Sequence, residues 1–325
     1  MLNYIIRRIC YAIPILIGVN LITFVLFFMV NTPDDMARMH LGVKYVTDDA
    51  IEKWKQDRGY DKPLIYNQTA EGFSKLTQTI FFEKSVAMFV FDFGQADDGR
   101  DISHEIKSRM VPSLAIALPV FLLGIWVYIS LALMMVFFRM TYIDFWGVVL
   151  CVALMSISSL FYIIGGQFLI SKIWHLVPIS GYGTGLDASK FLLLPVVIGV
   201  ISSIGANTRW YRTIFLEEMN KEYVRTARAK GLPESTVLFK HVLKNALIPI
   251  LTGAVVTIPL LFLGSLIAES FFGIPGLGSY TIEAINSQDF AIVRAMVFIG
   301  SFLYIIGLIL TDISYTLVDP RIRLI

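Results

Sequence analysis

The run Glu222–Leu251, EYVRTARAKGLPESTVLFKHVLKNALIPIL, gathers basic residues in an otherwise oily chain. Arg225, Arg228, Lys230, Lys240 and Lys244 offer guanidinium and ammonium groups, and none belongs to a motif with a nucleophile, a general base or a metal-ligand set. The chemistry open to them is recognition of carboxylates on another protein, which fixes register more than it adds affinity. The pattern predicts a helix over Glu222–Lys230, a stop at Gly231–Leu232–Pro233, and a second helix running on into an apolar span. Glycine takes the left-handed conformation that ends a helix, and proline begins the next one with no donor to lose. Val224, Ala227 and Gly231 share one face with small or apolar side chains, which suits close approach to a partner's groove. Arg225, Arg228 and Lys230 form the rim of that expected contact.

The rest of the chain carries little bond-making chemistry. No G-x-x-x-x-G-K-[ST] phosphate cradle is present, and no G-x-S-x-G elbow. The 4 histidines, His40, His104, His175 and His241, are scattered rather than set at metal-ligand spacing. These features point away from an enzyme, from a metal or cofactor held by this chain, and from nucleic-acid binding beyond what any basic loop offers. Cys10 and Cys151 fall in or beside apolar spans and read as small residues facing lipid or the bundle rather than a disulfide. Asp144, Glu269, Arg294 and Asp312 sit near span ends, where a side chain snorkels or pairs at the interface. No span has an ionisable group at its middle, which argues against a proton- or sodium-coupled carrier. The energy for moving a solute then comes from outside the chain.

The elements that must position the basic run are membrane helices. Hydrophobic residues make up 56% of the 325 and charged residues only 16%, against about a quarter charged in a soluble domain. Runs longer than the ~18 apolar residues of a spanning candidate give an all-α membrane protein with six spans: Ile9–Val30, Leu114–Phe138, Phe145–Ile170, Phe191–Tyr211, Ala246–Ala268 and Ala295–Leu317. Pro259 lies in the fifth, where neighbours can re-satisfy the freed carbonyl. Lys and Arg set the orientation. With both ends cytoplasmic, the inside holds Arg7, Arg8, Arg139, Arg209, Arg212, Lys221, the basic run, Arg321 and Arg323, while the short outside loops hold Lys172, Lys190 and Arg294. The chain divides into residues 1–30 (N-terminus and first span), 31–111 (an extracytoplasmic segment), 112–317 (spans two to six, with a cytoplasmic loop at 212–245) and a cytoplasmic tail at 318–325. In the long external segment, Thr47–Asp48–Asp49 caps a helix that Gly59 stops. Phe81–Phe93 is aromatic-rich and either lies along the membrane surface or packs on the bundle.

Several motifs together resemble one family. Tyr223–Val224–Arg225–Thr226–Ala227–Arg228–Ala229–Lys230–Gly231–Leu232, followed by His241 and Asn245–Ala246–Leu247–Ile248–Pro249, is similar to the ATPase-coupling loop of permease subunits in ATP-binding-cassette importers. The resemblance is to the branch that takes up dipeptides, oligopeptides and, in some members, nickel. Tyr4–Ile5–Ile6–Arg7–Arg8 resembles its N-terminal start, and Phe91–Asp92–Phe93–Gly94 its G-D-[LF]-G element with Phe for the usual Gly. Glu269–Gly278 resembles its E-x-x-F-x-x-P-G-L-G loop, and Asp319–Pro320–Arg321–Ile322–Arg323 its D-P-R-[IL]-R ending. Pro33–Asp34–Asp35 departs from the usual P-G-D-P.

The resemblance implies a type I importer permease fold in the inner membrane that forms half of a translocation pore. It also implies a second homologous permease, two ATPase subunits or domains that hold ATP and Mg, and an extracytoplasmic solute-binding protein. Glu269, Phe272, Pro275, Gly276 and Gly278 form an expected docking loop for that protein. A self-contained secondary carrier or channel for a small solute is the competing reading, and an assembly factor with no pore a third.

Overall fold

The computed structural model describes residues 2–42, 46–68, 70–183 and 185–318. The Asp319–Arg323 ending and the side chains of Tyr4 and Ile5 lie outside the described residues.

Among the described residues, five helices are long and apolar enough to cross a membrane: Ile6–Val30, Ile102–Phe137, Ala188–Met219, Glu234–Leu263 and Phe290–Ser314. A bent pair, Tyr142–Met155 and Ser159–Ile173, makes a sixth if taken as one span; its halves meet at 87°. The continuous third span expected over Phe145–Ile170 is therefore corrected to a broken one. The break lies at Ser156–Ile157–Ser158, where the Ser156 hydroxyl donates back to Val152 O at 2.7 Å and Ser158 is extended at ψ 143°. Serine competes for backbone bonds in this way, and hydropathy does not register it. The fifth span is corrected too. It ends with a tightened turn, Pro259–Leu263, then Gly264 at φ 68°, so Leu266, Ile267 and Ala268 belong to a separate helix, Leu266–Phe272.

Contacts divide the chain into two compact units: Arg109–Ser279 with the stretch from Ile306, and Leu2–Ser108 with Tyr280–Ile305. The second unit has its own core of Phe24, Phe28, Met36, Ala37, Ile51, Trp54, Tyr60 and Ile80. Two short helices supply much of it. Pro33–Leu41 opens with a capping box, in which Asp35 N–H donates to Thr32 Oγ1 and Thr32 N–H to Asp35 Oδ2. Asp48–Arg58 is stopped by Gly59 at φ 68°, as its sequence predicts. The stretch after the first span is thus packed rather than a bare connection. Its aromatic run packs on the last helix, with Phe89 and Phe93 against Phe298 and Phe91 against Phe302.

In the first unit, the helices Tyr142–Met155 and Ala188–Met219 pack closely. Gly205 lies where a Cβ would strike the Met155 backbone N at 2.8 Å, so only glycine permits that approach. Asp144 and Arg212 bridge the same two helices through two parallel bonds of 2.9 Å. The pairing expected for an ion near a span end is met at Asp144, while Glu269 and Arg294 are 1% and 3% exposed and do not snorkel. Cys10 and Cys151 are free thiols, the first exposed and the second buried.

Candidate functional site

The hairpin is shaped by its local sequence. Glu222 opens the helix Glu222–Ala229 and Arg228 lies in its last turn, each charge opposite the helix-dipole end it neighbours. Gly231 has φ 75°. Its N–H donates to Arg228 O at 2.9 Å and the N–H of Leu232 to Ala227 O at 3.4 Å, the paired bonds of a Schellman stop. Pro233, extended at ψ 146°, precedes the second helix at Glu234. Across the turn, the Arg228 guanidinium forks onto Glu234 with bonds of 3.1 and 2.5 Å. Arg225 pairs with Glu222 at 2.6 Å. The Tyr223 hydroxyl donates to Glu218 at 2.5 Å; burial, and then that carboxylate, push the phenol far above its ordinary range.

Tertiary packing overturns the expected contact face. Val224 is 0% and Ala227 4% exposed, and both lie in one core with Phe215, Met219, Val237, Leu238, Val242 and Ala246. The apolar stripe that reads as a partner surface instead fastens the hairpin to the end of Ala188–Met219 and the start of Glu234–Leu263. Gly231 does not share that face: it is exposed, and a Cβ there would meet nothing within 4 Å. The surface left open comprises Arg225, Thr226, Arg228, Ala229, Lys230, Gly231 and Leu232, with Phe239 57% exposed beyond the turn. The anchoring residues were legible only as a periodic trio, since Tyr211, Phe215 and Met219 recur every fourth position along one helix face.

The Glu269–Gly278 loop is likewise turned inward. Glu269, Phe272, Gly276 and Gly278 are buried and only Pro275 of the expected docking set is exposed. The Glu269 carboxylate accepts from the backbone N–H of Ser265 (3.1 Å), Gly278 (2.7 Å) and Ser279 (3.1 Å). Ser113 joins this knot, bonding Glu269 and accepting from Leu277 N–H at 2.8 Å. A Cβ at Gly264 or Gly276 would collide with the Glu269 carboxyl group, which is why this carboxylate needs glycines around it. Burial pushes the Glu269 carboxyl above its ordinary range, against the pull of the Ser113 hydroxyl and the three N–H donors. Phe272 fills a core with Ile116, Ile163, Leu194, Val196 and Ile198, and its carbonyl accepts from Gly181 N–H at 2.7 Å. Nothing in the sequence near Glu269 points to Ser113, which lies far back in the chain.

The same unit borders a half-open cavity of about 700 Å³. Ile116, Val120, Phe121 and Trp210 give it apolar walls, and Ser202, Ser203, Asn207 and Thr257 a scatter of neutral hydrogen-bonding groups. Glu269 is the one carboxylate among its lining residues. Apolar walls with a few polar groups are the ordinary make-up of a cavity that holds a solute.

Comparison with known proteins places this architecture. Residues 85–324 match the family described as binding-protein-dependent transport system inner membrane component, and residues 1–90 match the N-terminal family of such membrane components. The chain is 31% identical to a putative peptide transport system permease of Brucella abortus over 98% of both chains. It is 28% identical to an oligopeptide transport system permease of Bacillus subtilis, covering 99% of this chain and 100% of that one. It is also 28% identical to a glutathione transport system permease of Shigella flexneri over 99% of each.

Proposed function

Because the chain belongs to the family of binding-protein-dependent transport system inner membrane components, we propose that it is the peptide-importing permease subunit that receives its drive from separate ATPase chains through the hairpin Glu222–Leu251. The one observation that carries this reading is the packing of the hairpin. Val224 and Ala227 lock it to both neighbouring membrane helices, so force on its open face moves those helices as one body. In this reading Arg225, Lys230, Gly231, Leu232 and Phe239 meet the ATPase. Nucleotide-driven closure tilts Ala188–Met219 and Glu234–Leu263 and shifts the bundle between two states open to opposite sides. The long apolar helices make the chain a multi-pass inner-membrane protein.

The rest of the assembly belongs to the same proposal. A second homologous permease completes the pore, ATP and Mg sit on two ATPase subunits, and a solute-binding protein delivers the cargo outside. Both termini and residues 212–245 face the cytoplasm, and residues 31–111 lie largely on the other side. Peptide cargo is inferred from the relatives' names. The buried Glu269 knot leaves the region around Pro275, rather than the whole loop, as the surface offered to the delivery protein.

Gly231→Asp tests the coupling. Asp tolerates the left-handed backbone better than most residues, and the site is open, so the chain should still insert and fold. A carboxylate now stands on the proposed contact face, and uptake by the assembled transporter should fall at least tenfold with ATPase binding weakened. Wild-type uptake and ATPase capture in this variant would exclude the hairpin as the coupling element.

A further inference from the structure

The segment Phe81–Phe93 packs at a depth its place in the sequence does not suggest. The Asn20 side chain donates to Ser85 O at 2.7 Å. Asn20 lies roughly 15 Å of helix inside Val30, where the first spanning helix ends. That helix has 25 residues, so it overshoots a ~30 Å hydrocarbon core by a few ångströms at each end, which leaves Asn20 about 10 Å deep. The last helix gives the same reading. Phe91 packs edge-on against Phe302, which is roughly 18 Å of helix beyond Phe290. The segment thus enters beside Phe24, where Phe81 sits at 5.0 Å, reaches Asn20, and turns back after Phe91, the residue with φ 60°.

Its backbone and composition fit that depth. Phe82–Val86 and Ala87–Val90 are wide and tight helical turns rather than one α-helix, so carbonyls fall out of the regular ladder. In hydrocarbon such carbonyls must find protein donors. Two do: Ser85 O takes the Asn20 amide, and Lys84 O takes the buried Arg294 guanidinium at 2.7 Å. This accounts for a buried amide and a buried guanidinium in two apolar helices, where either is costly without a partner. Between Lys84 and Asp92 there is no charged residue, and Val90 is 77% exposed beside half-exposed Phe91.

We propose that Ser85–Phe91 is a re-entrant segment seated in the acyl region of one leaflet, held by Asn20 and Arg294, with Val90 and Phe91 facing lipid. The inference depends on the chain crossing the membrane and not on its cargo or its ATPase. The test places a nitroxide label at Val90→Cys, with Glu71→Cys as the aqueous reference. The full chain carries Cys10→Ser and Cys151→Ala and is reconstituted in phosphatidylethanolamine–phosphatidylglycerol vesicles. The ratio of collision rates with oxygen to those with a water-soluble nickel chelate should be several-fold higher at Val90 than at Glu71. An equal ratio, or a Val90 label reached by neither relaxant because another protein surface covers it, overturns the proposal. Wild-type protein labelled with a carbene reagent dissolved in the acyl phase gives a check that needs no substitution: adducts are expected within residues 85–93, and their absence there also overturns it.

Discussion

A single buried carboxylate organises the Glu269–Gly278 loop, and its replacement should be legible in more than stability. Glu269→Gln keeps the shape but puts an amide N–H₂ where one carboxylate oxygen accepts backbone N–H groups, so at least one buried donor is left without an acceptor. That costs about 1–3 kcal/mol and should lower the melting temperature of the detergent-solubilised chain. The pH dependence carries its own sign. Because burial raises the Glu269 pKa from 4.5, the folded chain holds this proton more tightly than the unfolded one. The resulting stabilisation is complete below the unfolded-state value and is lost as pH rises through the folded value. Glutamine has no such titration, so the stability gap between wild type and Glu269→Gln should narrow from acidic to neutral pH. A gap constant with pH in thermal melts would show that the raised pKa is not expressed. The neighbouring glycines answer to the same carboxylate: Gly276→Ala should be more damaging than Gly231→Ala, because only the former runs into Glu269.

For the hairpin as an element, the decisive fact is which side faces in. Ala227→Leu adds three carbons to a site 4% exposed within a closed core, an overpacking worth about 1–3 kcal/mol. The expected outcome is a hairpin loosened from its two membrane helices. ATPase capture should then persist on the exposed face while transport per ATP hydrolysed drops, a split that measuring both rates in proteoliposomes would reveal. The contact between Tyr142–Met155 and Ala188–Met219 makes a second case. Asp144 and Arg212 are 11% and 22% exposed at their side chains, so removing one partner strands a charge. Asp144→Leu alone should cost about 3–5 kcal/mol, and Asp144→Leu with Arg212→Leu should recover most of it. A double variant no more stable than the single one, by thermal melts in detergent, would mean that the pair contributes attraction beyond its desolvation.

For the whole molecule, the cavity and the hairpin make a joint prediction. The cavity's one carboxylate, Glu269, is held by three backbone N–H groups and the rest of the lining is neutral or apolar, so the lining offers no second charged group to pass an ion along. The chain alone in liposomes should show no solute-gradient or proton-driven peptide flux. Flux should appear only with the second permease, the ATPase chains, the binding protein and ATP. Flux from the chain by itself would favour the self-contained carrier.

Much of this protein was written in local sequence. The apolar runs fixed the membrane class, because transfer of a ~20-residue helix into lipid depends on its own side chains. The helix–stop–helix of Glu222–Glu234 was legible because a left-handed Gly231 and the restriction imposed by Pro233 act within a few residues. The kink at Ser156–Ser158 was hidden in an apolar run. Burial was not legible either, since it belongs to pairs far apart in the chain. Val224 and Ala227 carry the same small apolar side chains whether they face an ATPase or Phe215, and only the packing of Ala188–Met219 against the hairpin decided between them. Glu269 reads as a charge at a span end until Ser113 and the N–H groups of Gly278 and Ser279 close around it. Asn20 reads as a stray polar residue until Ser85 is brought to its side chain, because the cost of a buried polar group is settled by its partner and not by its neighbours in sequence.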